Sequence, residues 1–149
     1  MKVFLTLLLL LPLTVSAADT LPEKFLGKWE AHGGFKSVYG DLDVKKTSLS
    51  FERLGSHTFV IVATFDDSVV LEMSKSYKDD CGSYIRLGPI IEPNSSDPTD
   101  SLWVGSLTFA VYETKDKALA PKKINPFTGK LEYPGDCAWG LFEPLKKPH

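Results

Sequence analysis

Three histidines, two cysteines and three close pairs of aspartates are the first residues of this chain to weigh for chemistry. Nucleophilic catalysis needs a Ser or Cys with a His and an acid in reach. His32, His57 and His149 lie in no nucleophile-like motif. A hydrolase or isomerase would require His32 or His57 to gather with carboxylates in a pocket. A metal shared by His32 and His57 lacks the accompanying His-x-x-x-His or Cys-x-x-Cys spacing. The pairs Asp41/Asp43, Asp66/Asp67 and Asp79/Asp80 lack the ordered oxygens, glycine and late Glu of a calcium loop. They read as solvated turns. The glycines are scattered through turns and form no phosphate cradle. No catalytic residue, metal or cofactor is expected.

The chain does offer apolar side chains at alternate positions, the period of half-buried strands. "TSLSFERL", "HTFVIVATF" and "VVLEMSKSY" alternate clearly, with Phe59, Ile61, Ala63 and Phe65 on one face and Val69, Leu71 and Met73 on another. "CGSYIRLGPII", "SLWVGSLTFAVYE" and "CAWGLFEP" follow, and "WEAHGGF" and "FKSVYGDLDV" precede. That makes about eight strands, most joined by short turns, with helical period nearly absent. Short turns between sequence neighbours favour an antiparallel meander, and closure removes its exposed edges. The expected fold is therefore all-β: a small closed meander barrel of about eight strands. Phe59, Ile61, Phe65, Leu71, Met73, Trp103, Leu107, Phe109 and Val111 are expected to point inward. A barrel of this size can be filled by its own side chains or can hold one small ligand.

Two connections are long. Residues 88–101 are rich in Pro, Ser and Asp and include the glycosylation sequon Asn94-Ser95-Ser96. Residues 114–136 are rich in Lys and Pro, with a small hairpin expected around Asn125–Gly129. Loops of this length are usually functional or mobile. In an eight-stranded meander the 114–136 loop shares an end with the turns near Gly55 and Lys78–Asp80, and 88–101 lies at the other end.

The first residues run from Lys2 through an apolar stretch, Val3–Val15, to the small residues Ser16, Ala17 and Ala18. That order is a secretory signal peptide over 1–18, cleaved after Ala17 or Ala18, followed by one domain over 19–149. The apolar stretch is too short for a membrane span, so a secreted or periplasmic protein is expected. The net charge is −2, with lysines and acids interspersed and only Arg53 and Arg86 as arginines. This gives no concentrated basic face for nucleic acid. Cys81 and Cys137, an even count in an exported chain, are expected to form a disulfide.

"LPEKFLGKWE" (21–30) carries Phe25, Gly27 and Trp29, and it resembles the N-terminal signature of the lipocalins and their calycin relatives. In those families a helical turn precedes Gly-x-Trp on the first strand. The resemblance implies that Gly27 lets the backbone enter the barrel closely and that Trp29 plugs the closed end. No arginine follows Arg86 to stack on Trp29, as the family's C-terminal arginine does. Lipocalin-like architecture implies binding of a small apolar or amphipathic ligand inside the barrel, with the 114–136 loop near its mouth. The competing expectation is a protein-binding module, an exported inhibitor or immunity-type protein acting through loops 88–101 and 114–136. A filled core with rigid protruding loops would favour it. Deleting 122–133 should then abolish partner binding and leave the fold intact.

Overall fold

The computed structural model describes residues 20–93 and 102–145. The signal-like segment, the Asn94 sequon, most of the 88–101 loop and His149 lie outside the described residues. Among the described residues there are ten strands: β1 (Gly27–Ala31), β2 (Leu42–Val44), β3 (Ser48–Phe51), β4 (Gly55–Thr64), β5 (Val69–Met73), β6 (Tyr84–Ile90), β7 (Leu107–Tyr112), β8 (Lys123–Ile124), β9 (Leu131–Glu132) and β10 (Ala138–Pro144). Eight of them close into an antiparallel barrel in the order β1-β10-β7-β6-β5-β4-β3-β2. This is the expected meander, since every barrel strand pairs with its neighbours in sequence once the separate β8–β9 hairpin is set aside.

Alternation decides what faces in. On β5, Val69, Leu71 and Met73 join the main core while Val70 joins a second cluster on the outer face. The same rule places Leu107, Phe109 and Val111 of β7 inside and Ala110 and Tyr112 outside. On β4 the rule fails halfway. A register shift between Ile61 and Ala63 against β5 inserts one extra residue, and a bulge flips the faces beyond it. Phe59 and Ile61 therefore pack on the main core, but Phe65 packs outside with Val62. Its expected inward position is corrected.

Among the described residues two one-turn helices interrupt the strands. Part of "FKSVYGDLDV" forms α1 (Gly34–Val38), and α2 (Lys115–Leu119) follows β7. Thr114 caps α2, its side chain accepting from Lys117 N, which satisfies an otherwise orphaned first-turn donor. Ala118 of α2 seals the outer-face cluster.

Both barrel ends are stoppered by aromatic rings. At one end a 3₁₀ turn (Glu23–Phe25) buries Phe25, and the Trp29 indole donates to the Phe25 carbonyl at 3.0 Å. Gly27 adopts φ +118° and a Cβ there would meet nothing within 4 Å. Its glycine serves the left-handed backbone of the strand entry, not the close approach expected. At the other end α1 folds over the mouth and inserts Phe35. Gly140 of β10 makes the room, because a Cβ there would sit 2.5 Å from the Phe35 ring. The α1 segment, the 52–54 turn, the 74–83 loop and the 113–137 connection share this mouth end, whereas β6 ends and β7 begins at the opposite end.

Candidate functional site

Inside the barrel the residues expected to bind cargo pack against one another. Leu71, Leu107, Phe109 and Val111 are fully buried and Met73 nearly so, all in one cluster. Phe109 lies at the centre of a chain of rings: its centroid is 5.7 Å from Phe35 and Tyr39, 6.0 Å from Phe51 and 5.3 Å from Phe142. Tyr77 continues the chain at 5.7 Å from Phe51. Offset and edge-on rings at these separations attract beyond their area burial. Phe59 and Ile61 pack half-buried against the same cluster. The protein's own side chains occupy the lumen.

The mouth is wrapped by an open cleft of about 820 Å3, running from Phe35 and Tyr39 over the β10 rim to Trp139 and Trp103. Trp103 was expected on an inward strand face. It lies instead in the turn before β7, outside the barrel, with His32 edge-on at 4.9 Å. His32 Nε2 is 3.1 Å from Glu143 Oε2, close enough for an ion pair when the imidazole is protonated. His57 sits elsewhere on the same end, its ring nitrogens 2.8 Å from Ser76 Oγ and 2.6 Å from the Leu54 carbonyl. No group of three or more His, Cys, Asp or Glu side chains among the described residues could hold a metal.

The aspartates are not simply solvated turns. Asp79 accepts from the Tyr39 hydroxyl at 2.7 Å, the Tyr77 hydroxyl at 2.8 Å and the Cys81 amide at 2.9 Å. Burial, reinforced by Asp79, pushes both phenols far above their usual range. Asp41 accepts from Ala31 N at 3.2 Å. The Asp79 bonds tie α1, the 74–83 loop and the Cys81–Cys137 disulfide, whose Cα atoms are 5.4 Å apart, into one rigid rim.

The 113–137 connection leaves this rim and carries the β8–β9 hairpin, a finger whose base reaches Asp67 and Ser68 of the β4–β5 turn. Its tip is internally hydrogen-bonded: Asn125 N donates to the Lys130 carbonyl at 2.7 Å, Gly129 N to the Asn125 carbonyl at 2.8 Å, and Phe127 N to Asn125 Oδ1 at 2.9 Å. Asn125 Nδ2 donates to Glu132 Oε2 at 2.9 Å. These bonds leave Phe127 with 96% of its surface exposed, flanked by exposed Ile124 and Leu131.

The finger's base is bolted to the barrel wall. Tyr133 stacks on Arg86, whose guanidinium carbon is 3.6 Å from that ring's centroid and 4.6 Å from the Phe65 centroid. The Tyr133 hydroxyl donates to Asp67 at 2.8 Å, and Lys122 Nζ reaches Asp67 at 2.6 Å. Ser68 Oγ accepts from Arg86 Nη1 at 2.9 Å and donates to Asp67 at 2.9 Å. Arg86 Nη2 donates to the Ala118 carbonyl of α2. Burial alone would raise the Asp67 pKa, but hydrogen bonds from Lys122, Tyr133 and Ser68 outweigh it and hold the carboxyl below its usual range. A deletion of 122–133 would remove Lys122 and Tyr133 and uncover Arg86. Such a deletion therefore carries a cost at the barrel wall besides its effect on binding.

The sequence reading passed over Phe35, Arg86, Phe127 and Tyr133. Only Phe127 carried a local signal, an apolar residue between Pro126 and Thr128-Gly129 in a turn. No protein-family model matches the chain, and neither the curated proteins nor the solved structures yield a match. Among the described residues no helix is long and apolar enough to cross a membrane.

Proposed function

We propose that this is an exported protein-recognition module that binds its partner through the finger. The observation that carries the reading is Phe127: a ring almost wholly exposed on a hairpin whose tip and base are both fixed by hydrogen bonds. An isolated exposed apolar residue needs no explanation, but one held out on an ordered support is different. Aromatic anchors filling a partner's pocket dominate interface energies, and preorganisation lowers the entropic cost of binding. With Lys122 paired to Asp67 at its base, the finger carries Lys123 and Lys130 against Glu132 in a chain of net charge −2. An apolar pocket with an acidic rim suits it.

A second reading follows from the lipocalin resemblance: a small apolar or amphipathic ligand. The cleft at the mouth favours it, since about 820 Å3 falls within the range of small-molecule sites. In this form the ligand sits against Trp103, Trp139 and Phe35 at the rim, above the filled lumen. The two readings separate experimentally. Phe127→Ala should abolish partner capture and leave quenching of tryptophan fluorescence by apolar probes unchanged. Trp139→Ala should do the reverse if the cleft is the site. Partner capture that survives Phe127→Ala would overturn the finger reading.

A further inference from the structure

Two surfaces of this molecule complement one another. The finger offers the exposed Phe127, with exposed Ile124 and Leu131 beside it. Its Lys123 and Lys130 against Glu132 leave one positive charge in excess. The mouth cleft offers the reverse. Phe35, Trp103 and Trp139 line it, and the 74–83 loop bounds it with Asp79 and Asp80 against Lys78, leaving one negative charge in excess. Asp79 is committed to the Tyr39 and Tyr77 hydroxyls, but neither Asp80 nor Lys123 enters an ion pair among the described residues. At about 820 Å3 the cleft is of the size that encloses a drug-sized molecule, so its volume admits a phenyl ring and a neighbouring aliphatic side chain. No finger residue lines the cleft of its own molecule. Lys122 and Tyr133 pin the finger's base to Asp67 at the β4–β5 turn, the barrel end away from the mouth. A finger that fills the cleft therefore belongs to another molecule.

We propose that the mouth cleft receives the finger of a second copy of this chain. The partner of the finger reading, on which this rests, is then another copy, and the cleft holds Phe127 in place of a small ligand. Phe127 enters beside the exposed Trp139, and rings that meet offset or edge-on attract beyond the area they bury. The finger's excess of lysine faces the cleft's excess of aspartate, which sets the orientation of docking. Both surfaces are held in shape beforehand. Hydrogen bonds fix the finger's tip, while the Asp79 bonds and the disulfide fix the rim, so little conformational freedom is lost on contact. The contact joins two different patches. Each copy keeps its own finger and its own cleft for further copies, so the assembly closes as a ring or grows as a chain.

Sedimentation of the purified protein over a concentration series should show association that rises with concentration. Phe127→Ala removes the anchor and should weaken self-association roughly thirtyfold or more, as loss of an interface hot spot does. Gly34→Arg should weaken it from the other side. Gly34 is in the cleft wall, is free of left-handed backbone, and a Cβ there would meet nothing within 4 Å. The substitution therefore crowds the cleft with a cation and leaves the fold unstrained. Each variant alone should stay monomeric where the wild type associates. An equimolar mixture should form a one-to-one pair, because the Phe127→Ala chain keeps its cleft and the Gly34→Arg chain keeps its finger. A photo-crosslinking phenylalanine analogue at position 127 gives a readout that needs neither variant: the purified protein should yield a product of twice the chain's mass, joined to α1 or to residues 138–141. Association that survives either substitution, a mixture that does not pair, or a crosslink elsewhere on the chain would overturn the proposal. A wild type that stays monomeric at every concentration, with position 127 crosslinking a different protein, would overturn it and leave the finger reading standing. A monomer whose position 127 crosslinks nothing would overturn both.

Discussion

The lumen and the finger spend aromatic residues in opposite ways. Phe109 touches four other rings and has no exposed surface, whereas Phe127 is 96% exposed. The first arrangement is what a core does, and burial of that area holds the barrel closed. The second contributes nothing to folding that a polar residue could not supply. A barrel whose ends are stoppered by Phe25 and Trp29 on one side and Phe35 and Tyr39 on the other presents its surface as the place for recognition. The difference locates stability within the barrel, and on the proposed reading binding lies in the connections.

Substitutions can break this contrast. The largest expected effect is at the lumen centre. Phe109→Ala should cost roughly 3–5 kcal/mol in urea unfolding, the usual penalty for emptying a packed aromatic site. A loss well under 1 kcal/mol would mean that the lumen has slack enough for cargo. Next comes the bond that pins the finger connection to the rim. Replacing Cys81 and Cys137 by serine should cost about 2–5 kcal/mol and speed amide exchange in 113–137 more than in β5 or β6. Uniform acceleration would contradict a rim-specific role. Smaller still is Gly140→Ala, which must push the Phe35 ring aside; overpacking of this kind costs roughly 1–3 kcal/mol. It should disorder α1 while leaving the finger's amide protection unchanged.

The finger's base should also respond to acid before the lumen does. The Asp67 carboxyl is held below its ordinary value of 3.8. A depressed carboxylate contributes stability that is complete above its unfolded value and is lost as pH falls through the folded one. Amide protection in 121–133 should therefore decline below about pH 4, in the range that the ordinary value sets, while the lumen residues stay protected. In alkali the sign reverses for the mouth. Tyr39 and Tyr77 are raised, so their stabilising effect is full below the ordinary phenol value and is lost as pH climbs beyond it.

Strand alternation made the barrel legible in the sequence, together with its disulfide, its two long connections and the buried Leu71, Met73, Leu107 and Phe109. What escaped was set by contacts distant along the chain. The bulge that turns Phe65 outward depends on β5 pairing with β4 and leaves no mark in the alternation itself. Trp103 reads as a continuation of β7, but Gly105, at φ +84°, bends the chain before the strand begins. Phe35 enters the mouth only because Gly140, more than a hundred positions later, lacks a side chain. Arg86 sat in an apolar run with nothing nearby to show that Phe65 and Tyr133 would enclose it. The candidate site was legible as a loop with a hairpin, and its rigidity was not.

Phe127→Ala should change unfolding stability by less than about 0.5 kcal/mol, as exposed substitutions do, so it isolates recognition from folding. The most direct measurement places a photo-crosslinking phenylalanine analogue at position 127, with the same analogue at Val60, 64% exposed on the barrel wall, as the control. Both proteins are irradiated in the source cells and in the medium around them. Recognition through the finger predicts a discrete crosslinked protein from position 127 and none from position 60. A blank at 127, or the same products from both positions, would contradict it.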